Sequence, residues 1–279
     1  MNLDAAELFS LHGKTALLTG ASGYLGRAMV RGLLSNGARL IALGRSERLQ
    51  ASVQEWRKEF GEDRVEAHQV DMYDLTATVA LFEEIVAKEA SIDVLVNNAH
   101  ELGPKTGFNV PEGSLENATY EHWQRNWLGG VYWPALAVQK VGQKMKAAGR
   151  GSIINISTMY AAVAPSPALY EGTDFINPPA YSASKAALLS FTRYTASFWG
   201  RHGIRANAIL PGPFSNIEDN GPNTVSEGDF FLERLKSRTC LGRIGRPTEL
   251  IGCLLYLASD ASSYMTGQAL AVDGGWTIV

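Results

Sequence analysis

Tyr181 and Lys185 stand four residues apart in Tyr181-Ser182-Ala183-Ser184-Lys185, directly after Pro178-Pro179. Positions i and i+4 share one face of a helix, so a phenol and an ammonium can point into the same cleft. A phenol titrates at about 10 in water and is a poor base at neutral pH; a cation beside it stabilises the phenolate and brings it toward working range. The pair therefore suits proton transfer to or from an oxygen. Upstream, Ile153-Ile154-Asn155-Ile156-Ser157-Thr158 reads as a buried strand ending in two hydroxyls. Either can donate to an oxygen as charge develops on it.

A third group of residues binds rather than reacts. Thr19-Gly20-Ala21-Ser22-Gly23-Tyr24-Leu25-Gly26 follows an apolar run and opens a helical pattern. Its glycines permit a tight turn, close approach of backbone to a pyrophosphate and close helix-to-strand packing, while the helix N-terminus presents N–H groups and a positive dipole end. In that strand-to-helix setting the loop points to a dinucleotide. Joined to the proton-transfer pair, it implies hydride exchange between a nicotinamide and a carbonyl/alcohol pair. Cofactor choice turns on Ile41-Ala42-Leu43-Gly44-Arg45-Ser46. An acid at the end of this strand takes the ribose hydroxyls of NAD, whereas an Arg pairs with the extra phosphate of NADP. Gly44 stands where that acid is sought and Arg45 follows, so charge favours NADP(H) over NAD(H). Asp71 and Met72 after the third strand, and Asn97-Asn98-Ala99-His100 after the fourth, reach the same edge. Asp71 suits either an adenine amino group or a helix cap.

The elements that must position these groups are legible as an alternation. Strand-like runs occur at Thr15 to Thr19, Arg39 to Leu43, Arg64 to Val70, Asp93 to Asn97, Ser152 to Ser157, Arg205 to Leu210 and Ala269 to Val272. Most are continuously apolar, as strands are when helices cover both faces of a parallel sheet. Helical patterns fill 24–36, 46–60, 75–89, 119–147, 180–202, 227–237 and 247–258. The expectation is an α/β fold: a Rossmann-type, doubly wound three-layer sandwich with a mostly parallel seven-stranded sheet. No composition break marks a second domain in 279 residues, so 1–279 is expected to form one dinucleotide-binding unit. The irregular stretches at 159–180 and 211–238 follow strand ends, and loops of this length commonly bind ligand. Met159, Thr158, Tyr170 and Tyr181 are accordingly expected at the substrate, with Glu171, Asp174, Glu218 and Asp219 available to hydroxyls.

A net charge of −3 gives no basic surplus for nucleic acid or an acidic membrane, and no apolar run approaches a bilayer span. Two cysteines, Cys240 and Cys253, are too few for a disulfide framework and lack metal-ligand spacing. A cytoplasmic protein without a metal, acting on a small molecule, is expected.

With these residues in view, the chain resembles the compact, single-domain members of the short-chain dehydrogenase/reductase family along essentially its whole length. The matches are the TG-start loop, Asn97-Asn98-Ala99, Asn126 in the long helical pattern, Tyr181 with Lys185, Pro211-Gly212, and Asp273-Gly274-Gly275. The resemblance implies a tetrad of Asn126, a strand-end hydroxyl, Tyr181 and Lys185. In it Lys185 also binds the nicotinamide ribose and Asn126 holds a relay water. It implies a cofactor wall of Gly20, Ser22, Gly23, Tyr24, Leu25, Gly26, Arg45, Ser46, Asp71, Met72, Asn98, Ala99, His100, Ile156, Tyr181, Lys185, Pro211, Gly212 and Phe214, and a homotetramer or homodimer. The family's serine aligns with Thr158, leaving Ser157 as the alternative.

Four departures stand out. The loop has the TGxxGxxG spacing of the family's extended members, and NNAG reads NNAH, with His100 expected on the cofactor wall rather than in proton transfer. Thr replaces the usual serine. The hydroxyl-to-Tyr spacing is long, as in relatives from bacterial surface-sugar or flagellin-modification pathways, which favours a sugar-derived substrate. The glycine spacing raises a second enzyme class, a nucleotide-sugar epimerase or dehydratase, which requires a further substrate domain after Pro211. A dinucleotide-binding regulator without turnover is the third reading, and it calls for a damaged tetrad.

Overall fold

The computed structural model describes residues 4–214 and 230–279. Seven strands, β1 (Thr15–Thr19), β2 (Arg39–Gly44), β3 (Val65–Gln69), β4 (Val94–Asn97), β5 (Gly151–Ile156), β6 (Ile204–Pro211) and β7 (Ala269–Val272), make one sheet in the order β3-β2-β1-β4-β5-β6-β7. All six pairings are parallel, so the sheet is wholly rather than mostly parallel. The helices among the described residues are α1 (Ala5–Phe9), α2 (Tyr24–Ser35), α3 (Arg48–Phe60), α4 (Leu75–Lys88), α5 (Tyr120–Trp127), α6 (Trp133–Ala148), α7 (Pro179–Trp199), α8 (Phe230–Ser237) and α9 (Ile251–Ala258).

The unbroken apolar strands have the predicted cause. Alternate residues of a strand face opposite ways. Ala16 and Leu18 meet Met29, Leu33, Trp56 and Leu254 of α2, α3 and α9. Leu17 and Ile41 meet Phe82, Leu136 and Val141 of α4 and α6. Each face thus has its own apolar core, and the polar strand residues buried there, Asn97 and Asn155 among them, are hydrogen-bonded. The strand order reverses beside β1, with β2 on one side and β4 on the other, which opens a crevice at the carboxyl ends of these strands. After Pro211 the described chain forms α8 and α9 and returns to the sheet as β7, so these residues contribute no separate substrate domain.

The helical pattern at 119–147 is not one regular helix. A π turn at Leu128–Tyr132 separates α5 from α6. Pro134 lacks the N–H that would close the preceding turn, so the backbone widens there. Gly130 lies in that turn, and a Cβ on it would stand 2.2 Å from Ser184 Oγ, so α7 can approach only a glycine. Pro179 starts α7 after an extended Pro178, a favourable use of a residue with fixed φ at a first helical position, and this puts Tyr181 in the first turn. Asn97 Nδ2 donates to Asn155 Oδ1 at 2.8 Å and Asn155 Nδ2 to Thr192 Oγ1 at 2.8 Å, a buried chain that fixes α7 against β4 and β5.

The long segment before α7 is ordered by contact with α8. Met159, Tyr160 and Leu169 cluster with Phe231, Leu235, Ile244 and Trp276, and Phe175 stacks on Phe231 with centroids 4.2 Å apart. Of the stretch 211–238 expected to wall a pocket, 215–229 lie outside the described residues, Glu218 and Asp219 included.

Candidate active site

The crevice is a cavity of about 460 Å³. Gly20, with φ +71°, turns the chain out of β1, and a Cβ on Gly26 would stand 2.1 Å from the Gly20 carbonyl oxygen, so the loop can fold onto α2 only with glycine there. Asn98 Nδ2 donates to the carbonyls of Thr19 and Gly20 at 3.1 and 3.0 Å, and Thr19 Oγ1 accepts from the Asn98 and Ala99 amides, both at 3.1 Å. Asn98 therefore stitches β4 to the glycine loop. Gly20, Ser22, Gly23, Tyr24, Leu25 and Gly26 line the cavity beside the amino end of α2. A Cβ-free cradle at a helix N-terminus fits a pyrophosphate.

At one end the wall carries Arg45, Ser46, Asp71 and Met72. Gln69 Nε2 holds the Arg45 carbonyl at 3.0 Å, and the half-exposed guanidinium reaches Glu101 Oε1 at 3.2 Å. Asp71 Oδ1 accepts from the Tyr73 amide at 3.1 Å, so this carboxylate braces a turn as well as lining the cavity.

At the other end lie Ile156, Ser157, Thr158, Tyr181 and Lys185, with Asn98, Ala99, His100, Pro211, Gly212 and Phe214 around them. The two hydroxyls are not equivalent. Ser157 Oγ donates to the Lys185 carbonyl at 2.9 Å and is committed to α7, whereas the Thr158 hydroxyl is within hydrogen-bond reach of the Tyr181 phenol. Burial raises the phenol to about 12, against the lowering bond from Thr158. Lys185 Nζ donates to the Ile156 carbonyl at 2.9 Å, and burial, with no carboxylate partner among the described residues, lowers it to about 7. The Tyr181 ring is held edge-on between His100, at 5.1 Å, and Phe108, at 5.0 Å. Burial, with Lys185 close by, drops His100 to about 3, so its ring is neutral near pH 7.

Three expected site residues lie off the cavity wall. Asn126 is fully buried behind His100: its Nδ2 donates to the Thr106 and His122 carbonyls, both at 2.8 Å, and its Oδ1 faces His100 Nε2 at 3.2 Å. Met159 belongs to the apolar cluster under α8, because the extended Thr158 turns the chain into a 3-10 turn that points it inward. Tyr170 is in that cluster's outer shell, its hydroxyl 3.1 Å from the Tyr160 hydroxyl, and burial, with Tyr160 and then Tyr181 nearby, pushes its phenol up. Wall residues with no sequence signal include Glu101 and Trp133. Arg45 and Glu101 are 56 positions apart, and no local pattern announces such a pairing.

Residues 20–277 match the family model described as enoyl-(acyl carrier protein) reductase. The gluconate 5-dehydrogenase of Gluconobacter oxydans (strain 621H) is 32% identical over 275 residues, 98% of either chain. A gluconate 5-dehydrogenase from Burkholderia cenocepacia J2315, solved with NADP and tartrate, superposes with a TM-score of 0.82 at 28% identity, over 99% of this chain and 100% of that one. The L-sorbose reductase from Gluconobacter frateurii, complexed with NADPH and L-sorbose, gives 0.83 at 27% identity, over 98% and 99%. Since the likeness runs from the glycine loop to the last few residues in both sequence and fold, the chain belongs to the short-chain dehydrogenase/reductase family and is an NAD(P)-dependent oxidoreductase.

Proposed function

We propose that this enzyme prefers NADP(H) and interconverts a keto and a hydroxyl group on a polyhydroxylated, sugar-derived substrate. The observation that carries this is the placement of Arg45 at one end of the cavity and of Tyr181, Thr158 and Lys185 at the other. The relatives solved with NADP or NADPH and the names gluconate 5-dehydrogenase and L-sorbose reductase support the cofactor and the substrate class.

When bound, the nicotinamide supplies or accepts the hydride. In reduction, Tyr181 gives its proton to the carbonyl oxygen while the Thr158 hydroxyl donates to the same oxygen as charge builds on it. Lys185 then stabilises the phenolate left behind, and it can do so only while it carries its proton. His100, neutral and wedged against the Tyr181 ring, orients the phenol rather than exchanging protons. Asn126 acts from behind His100, fixing that ring and the approach of α5. The 159–180 segment, packed under α8, forms the substrate side.

Homo-oligomers, dimers or tetramers, accompany this function. Tyr120 and Trp127 on α5, Tyr132 beside α6, and the stacked Tyr194 and Phe198 on α7 are exposed apolar groups on adjoining helices. A cytoplasmic location is proposed as well: no helix among the described residues is long and apolar enough to cross a membrane, and both cysteines are free.

The test is a set of Michaelis constants for NADPH and NADH with aldonates, ketoses and hexitols as substrates. Arg45→Ala is expected to raise the NADPH constant by about tenfold, the value of one charge-assisted phosphate contact, and to leave NADH within about twofold. An unchanged preference in Arg45→Ala, or turnover restricted to acyl thioesters and simple ketones, would contradict the proposal.

A further inference from the structure

Glu101 follows Ala99-His100 beyond β4, while Arg45 follows β2, and in the sheet β1 lies between the two strands. The two side chains therefore meet across the strand-order reversal, and both face the cavity. Glu101 is the more deeply set of the two, 17% exposed against 51% for Arg45. Its Oε2 accepts from the Tyr73 hydroxyl at 2.7 Å and from Arg125 Nη1 at 3.1 Å. Arg125 is itself fixed, with its guanidinium 4.4 Å from the Tyr73 ring centroid and its Nε on Glu121 at 2.8 Å. Oε1 has Arg45 Nη2 at 3.2 Å. The carboxylate is thus tied down by one oxygen and grips the guanidinium with the other. Burial pushes the Glu101 carboxyl up, but the bonds from Tyr73 and Arg45 and the charges of Arg45 and Arg125 leave it below its ordinary value, so it is ionised at neutral pH.

Of the two partners, Arg45 is free to move. Its backbone is held by Gln69, but its guanidinium is half exposed, and an exposed ion pair is readily exchanged for a better one. A phosphate offers a doubly charged, bidentate partner. It must take Arg45 from Glu101 and then sit near a carboxylate that cannot swing away.

Taking Arg45 as the phosphate-binding residue proposed above, we infer that Glu101 is a specificity-determining residue that competes with the 2′-phosphate of NADP(H) for the Arg45 guanidinium. Glu101 thereby narrows the gap between the two cofactors and lets the enzyme retain use of NAD(H). Gly44 leaves β2 without an acid of its own, so the acid that opposes a 2′-phosphate comes from the far side of β1.

Binding of adenosine fragments separates this from catalysis. Calorimetric titration of the whole enzyme with 2′,5′-ADP and with 5′-AMP, for the wild type, Glu101→Gln, Arg45→Ala and the double variant, reads it directly. Glu101→Gln is expected to tighten 2′,5′-ADP by about three- to tenfold, somewhat more than the worth of an exposed ion pair because a like charge is removed as well, and to leave 5′-AMP unchanged. In the Arg45→Ala background the gain should fall to the smaller share left by removal of the like charge. No tightening in Glu101→Gln, equal weakening of both fragments, or a gain undiminished by loss of Arg45 would each overturn the inference. Loss of 2′,5′-ADP binding in Arg45→Ala alone reports on the NADP(H) proposal, so the two can fail separately. Should Glu101→Gln prove unstable, Glu101→Ala, which leaves Arg125 paired with Glu121, carries the same expectations.

Discussion

Tyr181→Phe is expected to lower kcat for carbonyl reduction by about 10²- to 10⁴-fold, the span that a positioned general acid contributes. Thermal stability and cofactor affinity should hardly change. The reason lies in how the ring is held: His100 and Phe108 grip it edge-on at 5.1 and 5.0 Å, and neither contact involves the hydroxyl. Phe keeps both contacts and removes only the proton and the reach to Thr158. Fluorescence titration with NADPH and a thermal melt check the second half of the expectation. A variant that turns over at the wild-type rate would remove Tyr181 from the chemistry, and one that also loses the cofactor would mean the phenol is holding the fold.

Lys185→Met has two signatures of opposite sign. Turnover should fall by about 10²-fold or more, since the phenolate left after proton transfer loses its cation. Stability should rise. Burial lowers Lys185 from its ordinary 10.5 to about 7, so between these values the unfolded chain holds a proton that the folded chain lacks. Stability of the wild type therefore increases as pH climbs through that window, and below it the full cost of burying the ammonium applies. Methionine has no such cost, so the variant should melt higher at pH 7 than the wild type and lose the wild type's gain toward pH 9. The same titration bears on catalysis: reduction needs the protonated lysine to hold the phenolate left after proton transfer, and should weaken as pH rises past about 7. Melting curves and initial rates at several pH values give both readings, and a variant with the wild-type pH slope would refute the lowered lysine.

Much of the architecture was legible because its causes are local or periodic. Apolar runs without alternation mark strands covered on both faces, and Leu17 and Leu18, facing opposite cores, show why. The glycine loop was legible because sterics leave no alternative at Gly26. Tyr181 and Lys185 were legible because i and i+4 on one helix is a local relation. The π turn was missed because α-periodicity persists through Gly129-Gly130, and only the missing Pro134 N–H marks the break. Asn126, which the resemblance implies as the holder of a relay water, stands behind His100, whose imidazole occupies the place of the usual glycine. Met159 follows a strand end that turns inward, and no periodicity runs through that segment. Glu101 depends on the strand order itself, which brings residues 56 apart together across β1.

In the function proposed above, this chain moves a hydride between NADP(H) and the carbonyl carbon of a sugar-derived substrate, with Tyr181 and Lys185 handling the proton. The most direct test is single-turnover reduction of a keto-aldonate with NADPH deuterated at the reactive C4 position, followed by mass and NMR analysis of the product. One deuterium on the new carbinol carbon, with transfer abolished in Tyr181→Phe although NADPH still binds, is the predicted result. Bound NADPH with no deuterium delivered to any keto sugar, or equal transfer by Tyr181→Phe, would contradict it.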